Sequence, residues 1–115
     1  MLKNQLNKYN SYFGAIMTFM VATHRGPHGL LVVICDSDIV GQVFVEGSRE
    51  LSVKGSFFAG DEKTSDEVMV LLKAARHLHL TGKKIIEMAL NMELIEVDRI
   101  LWVAGVPHAQ VFSEV

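Results

Sequence analysis

The rhythm of hydrophobic and polar positions changes about halfway along the chain. From Ile16 to Phe58, β-branched and aromatic residues come in short runs broken by Gly, Pro and Asp, the pattern of strands joined by tight turns. It predicts strands near 16–24, 30–35, 42–46 and 49–54. The first two are joined by "RGPHG", Arg25 to Gly29, where Gly and Pro supply the turn geometry. Between the second and third lies "CDSDIVG", Cys35 to Gly41. There the Asp36 and Asp38 carboxylates can accept backbone N–H groups in a turn or a short helical start. Gly41 suits an exit that needs a positive φ.

The second half repeats at helical spacing. Thr64 followed by Glu67 has the capping-box form, with Ser65 the other N-cap candidate. Val68, Leu71, Leu72, Ala75 and His79 then recur on one side, with Lys73 and Arg76 on the other. A second helix is expected after Thr81-Gly82, with Ile85, Ile86, Ala89, Leu90 and Met92 as its stripe, ending near Glu93. "RILWVAG", Arg99 to Gly105, is a final strand, to which Val111-Phe112 adds a short one. Strands, then two helices, then a closing strand predict an α+β domain: a small two-layer fold with a mostly antiparallel sheet and both helices on one face.

Composition narrows the picture without redrawing it. At 115 residues, half of them hydrophobic and 21% charged, the chain has the make-up of one globular domain. We read residues 1–15 as an N-terminal extension and 16–115 as the domain. The apolar run Phe13–Ala22 imitates a secretory signal, but it is too short to span a bilayer, and His24-Arg25 stands where a small-residue cleavage site would be. It reads as the lead into the first strand, with no membrane partner expected. The net charge of −2 gives no general attraction to nucleic acid, so such binding would need a local basic patch. Cys35 is the single cysteine, which excludes an internal disulfide and points to a reducing, cytoplasmic setting.

No motif names a reaction. Cys35-Asp36 after an apolar strand could form a nucleophilic site if His108 lowered the thiol pKa; the plainer reading of a cysteine after "LLVVI" is a small buried hydrophobe. His24, His28, Cys35, Asp36, Asp38 and His108 are acceptable metal-ligand types, but no recognised spacing unites them. His77 and His79 would share a face only on a strand, and on the helix expected here they diverge by about 200°. Neither a metal nor a cofactor is therefore expected. "LTGKK", Leu80 to Lys84, places Thr81, Gly82, Lys83 and Lys84 at a helix N-terminus, where free N–H groups and the dipole favour an anion. The plainer reading is an N-cap at Thr81 with surface lysines.

"VAGVPHAQVF", Val103 to Phe112, reads as a rigid corner after the last strand. Gly105 tolerates unusual φ, while Pro107 fixes its own and extends Val106. His108 is thereby held in place, and Gln110 shares its face if the chain is extended.

"ICDSDIVGQVF", "SFFAGD", "HLTGKKIIEMAL" and "GVPHAQV" together resemble an archaeal family, the domain of unknown function 424 family, over roughly Met17 to Phe112. The family pattern is matched by Cys35, Asp36 and Gly41, by the pair Phe57-Phe58 (Tyr is usual at the second), by Gly82, and by Gly105 to Gln110 throughout; His79 stands where Asn is typical. The resemblance implies a small two-layer α+β fold in an archaeal cytoplasm, an association with RNA or translation, and no established activity. Two functions are carried forward. The first is a non-enzymatic binding module for RNA or a ribonucleoprotein, using Lys73, Arg76, Lys83, Lys84 and Arg99, with His108 and Gln110 also at the site. The alternative is a small enzyme built on Cys35, Asp36 and His108. A surplus of apolar residues also admits a homo-oligomer.

Overall fold

The computed structural model describes residues 17–113; the expected extension, 1–15, lies outside them. β1 (Thr18–Gly26) and β2 (Gly29–Asp36) form a hairpin, followed by a 3-10 turn, Ser37–Ile39. A small hairpin, β3 (Val43–Glu46) and β4 (Arg49–Ser52), comes next, then a second 3-10 turn at Ser56–Phe58 and β5 (Asp61–Thr64). Helix α1 (Ser65–Ala74) leads to β6 (His77–Thr81), α2 (Lys83–Asn91), β7 (Leu101–Val103) and β8 (Val106–Phe112). The main sheet has the order β5-β1-β2-β6-β8-β7, with β3-β4 a separate ribbon. Among the described residues, only β2 and β6 run parallel. Their connection is the long crossover that parallel strands require, and it carries α1. The architecture is α+β, with both helices on one face of a mostly antiparallel sheet.

Alternation along the strands explains the two layers. Phe19, Val21, Val32, Ile34, Leu78 and Leu80 point to the helix side, where they meet Val68 and Leu72 of α1 and Ile85, Ile86, Met88 and Ala89 of α2. Burial of each large side chain there is worth about 1.5–3 kcal/mol. Their strand neighbours Ala22, Val33 and Cys35 point the other way, under Leu51, Val53 and Phe58. The second face is thus covered by the β3–β4 ribbon and the segment after it.

Local signals account for several boundaries. Thr64 caps α1 with the full reciprocal box: the Glu67 N–H donates to its hydroxyl and the Thr64 N–H donates to the Glu67 carboxylate. Gly41 holds a φ of 93°, as its place at the turn exit predicts.

Two expectations are corrected. The helix does not continue to His79: α1 ends at Ala74 and "HLHLT" is strand β6. Leu78 and Leu80 are both fully buried in the centre of the sheet, and that burial outweighs the helical spacing of Ala75 and His79. "VPHAQVF" is not a corner but strand β8, entered by a tight turn. Ala104 (φ 50°) and Gly105 (φ 81°) link the paired residues Val103 and Val106, a two-residue turn of the type that matches strand twist. Pro107 fits inside β8 for a specific reason. Its carbonyl accepts the Gly82 N–H at 2.9 Å, and the Gly82 carbonyl, which a residue with an N–H would have addressed, instead accepts the Ile86 N–H at 3.1 Å. The missing donor therefore leaves no acceptor stranded.

Candidate functional site

Residues singled out in the sequence converge at two places, one on each side of the sheet. The first is the N-terminus of α2. Asp36, the last residue of β2, turns to the helix side, and its carboxylate accepts the Lys84 N–H at 2.9 Å and the Ile85 N–H at 3.0 Å. The N-cap position belongs to Gly82, which offers no side chain, so the cap expected from Thr81 comes from a strand 48 residues earlier. Gly82 has a φ of 120°, and a Cβ there would land on the Asp36 carboxyl group. Two positions of the family pattern, Asp36 and Gly82, are therefore one physical unit. Burial pushes the Asp36 carboxyl up, while the two N–H donors and Lys84 pull it down. The Lys84 ammonium meets Asp38 at 2.9 Å on the surface. The anion that this helix end attracts is thus supplied by the chain itself.

The second convergence is on the opposite face. Thr81 lies opposite His108, and His79 opposite Gln110, in the β6–β8 register. Hydrogen bonds flank these pairs at Gly82–Pro107, which makes them the close, non-hydrogen-bonded positions where side chains sit nearest. His79 and His108 meet diagonally with ring centroids 5.6 Å apart. His77 and His79 share a face after all, because they stand on a strand; the divergence expected on a helix does not arise.

Phe57 and Phe58, on the 3-10 turn, complete the cluster. Phe57 lies edge-on to His79 and to Phe58, each at 5.1 Å, and stacks parallel on His24 of β1 at the same centroid distance. The His24 Nε2–H donates to the Phe57 carbonyl at 2.9 Å, which sets the ring's tautomer and fixes the turn on β1. Gly60 brings the same segment down so closely that a Cβ would strike the Val21 carbonyl.

The interior of this cluster is polar and unsatisfied. His79 Nδ1, Thr81 Oγ1 and both ring nitrogens of His108 are buried with no hydrogen-bond partner among the described residues. Thr81 is fully buried. Burial lowers the His79 pKa to about 4, helped by the neighbouring His108 and His77, and burial likewise lowers that of His108. Both rings are neutral at pH 7, so each offers one donor and one acceptor.

Cys35, Asp36 and His108 do not make a single centre. Cys35 and His108 lie in one row on the ring-cluster face, but the β6 residue Thr81 stands between them, putting their Cα atoms about 10 Å apart. Asp36 faces the other way. The Cys35 thiol is pushed up to about 12 by burial and by the charges of Asp36 and Asp38, so it is not a thiolate at neutral pH. Among the described residues, no three His, Cys, Asp or Glu side chains gather as metal ligands would.

The basic residues are also dispersed. Lys73 and Arg76 precede β6, Lys83 and Lys84 follow it, and that strand's length separates them by about 17 Å. The sequence pattern left His79 out of the site because it was placed on a helix; the period-two spacing of His77 and His79 beside the Phe pair was the usable signal.

A small mixed sheet with helices on one face and an imidazole–phenyl cluster on the other defines the class of this domain. The chain belongs to the family described as protein of unknown function DUF424, whose profile matches residues 23–113. The fold is similar to the crystal structure of an uncharacterized conserved protein from Methanopyrus kandleri, with a TM-score of 0.68 at 19% identity, covering 85% of this chain and 96% of that one. No curated protein matches the chain. No helix among the described residues is long and apolar enough to cross a membrane.

Proposed function

We propose that this protein is a non-enzymatic binding module for RNA or a ribonucleoprotein, working in the cytoplasm, and that the ring cluster is its reading surface. The carrying observation is the His24–Phe57 stack: parallel rings, held by the bond from His24 to the Phe57 carbonyl, with Phe57 36% exposed. A ring fixed in advance on a sheet face is what an unstacked base needs as a platform, and it serves any base because every base has a π-face. Lys54, exposed three residues before Phe57, supplies a cation for the phosphates in place of the dispersed lysines. The lone free thiol, Cys35, fits a reducing compartment.

The test is fluorescence anisotropy of a labelled single-stranded RNA over a salt series. Binding that weakens as salt rises is expected. Phe57→Ala should raise Kd by about fivefold or more, in line with about 1–3 kcal/mol for a stacked base. An absence of salt-sensitive binding sinks the RNA reading.

A further inference from the structure

The two edges of the main sheet are treated very differently by the sequence. At one edge, β5 carries Asp61, Glu62 and Lys63, the charged residues with which proteins discourage strands from pairing there. At the other edge β7 is only three residues long and stops opposite His108. The rest of β8, from Ala109 to Phe112, contains no charge and no proline.

The hydrogen-bond parity of β8 shows what this open stretch presents. The ladder to β6 is framed by Gly82 N–H to the Pro107 carbonyl and by Ser113 N–H to the Arg76 carbonyl, at 2.9 and 2.7 Å. Odd-numbered residues of β8 therefore turn their polar groups to β6 and even-numbered residues turn theirs away. β7 pairs with Val106 and His108. Gln110 and Phe112 are left with their N–H and carbonyl groups directed off the open edge. A groove runs along it, walled by Glu93, Glu96 and Arg99. Phe112, Leu101 and Val97 are 59%, 57% and 72% exposed around it.

We infer that this edge is the seat of a second copy of the chain, joined through β8 in a two-fold antiparallel pair centred on Val111. In that arrangement Gln110 pairs with Phe112 of the partner subunit and Phe112 with Gln110 of the partner subunit, each pair exchanging both N–H···O bonds. The free pattern is complementary to itself, as a two-fold interface requires. Charge fits as well. The paired strands are uncharged, so they meet without repulsion, and the wall carries both signs. The same two-fold sets that mixed wall against itself, where the glutamates of one copy can meet Arg99 of the partner subunit.

The test is the mass of the full chain in solution without RNA, by analytical ultracentrifugation, at roughly 100 μM, enough to fill a site of micromolar Kd. The wild type is expected at twice its 12.8 kDa chain mass. Gln110→Pro and Phe112→Pro each remove an N–H that faces outward and spare the β6 ladder, so each should halve that mass. A wild type that stays at single mass overturns the inference and leaves the edge to some other chain. Variants that stay dimeric overturn it as well. Should either variant fail to fold, hydrogen exchange on the wild type decides: protection of the Gln110 and Phe112 amides must rise with protein concentration, and protection independent of concentration refutes the pairing.

Discussion

The N-terminus of α2 and the imidazole–phenyl cluster both gather residues that were far apart in sequence, yet they are finished in opposite ways. At the helix end the carboxylates of Asp36 and Asp38 and the ammonium of Lys84 all have counterparts. Asp36 meets two N–H groups, Lys84 meets Asp38, and Gly82 exists to let the carboxylate in. In the cluster the buried atoms of His79, Thr81 and His108 have no protein partner among the described residues. A closed network stabilises and specifies a fold; buried polar atoms left open cost about 1–3 kcal/mol each unless something else satisfies them. The difference separates residues that complete the architecture from residues whose polar atoms stay unpaired within it. It also reassigns Asp36, which sequence adjacency had coupled to Cys35 in a reactive pair.

The largest effect expected from this contrast is at the closed end. Gly82→Ala must both hold a φ of 120° and displace the Asp36 carboxylate, and should lower unfolding stability by about 3 kcal/mol or more, summing backbone strain with a lost charge-assisted cap. Gly105→Ala is the control. Its φ is 81° but no atom lies within 4 Å of the added Cβ, so only the conformational cost, about 1 kcal/mol, is expected. Equal losses in urea denaturation would mean that the Asp36 contact contributes nothing beyond backbone strain.

A smaller but distinctive effect belongs to the cluster. The folded-state pKa of His79 is lowered from 6.5 to about 4, so between these values the unfolded chain binds the extra proton. Stability is therefore fully present above about pH 6.5 and lost as pH falls toward 4, by up to about 3 kcal/mol from this group. His79→Asn removes the titrating ring and should flatten the profile over that window. A profile that keeps its full slope in the variant would place the titration elsewhere, with His108 the next ring to examine.

What could be read in the sequence followed from local physics. The Thr64–Glu67 box, the β1–β2 turn at "RGPHG" and the apolar stripe of α2 each lie within a few residues, and the structure has all of them. β6 was hidden because five residues cannot distinguish a buried strand from a helix end by periodicity. Of β8 only the end, Val111-Phe112, was read; its start was hidden by Pro107, which is tolerated because α2 has already taken the Gly82 carbonyl. The Asp36 cap spans 48 residues, and no local signal reports a contact of that range. The cluster itself was half legible: His108 stood out, whereas His79 became visible only once its strand was known.

Thr81→Val makes the sharpest comparison of the two regions, although its effect is the smallest. The hydroxyl of Thr81 is fully buried and without a partner among the described residues, so replacing it with a methyl group of similar shape removes an unmet polar atom from the ligand-free protein. A gain of about 1 kcal/mol in unfolding stability is expected. The same substitution should weaken whatever polar group enters the cluster, so RNA affinity should fall while stability rises. A loss of stability comparable to that at Gly82 would mean that the hydroxyl is already satisfied, by ordered water at least, and that the cluster is as closed as the helix end. Opposite signs in the two measurements are the signature of a site kept open at a cost to the fold.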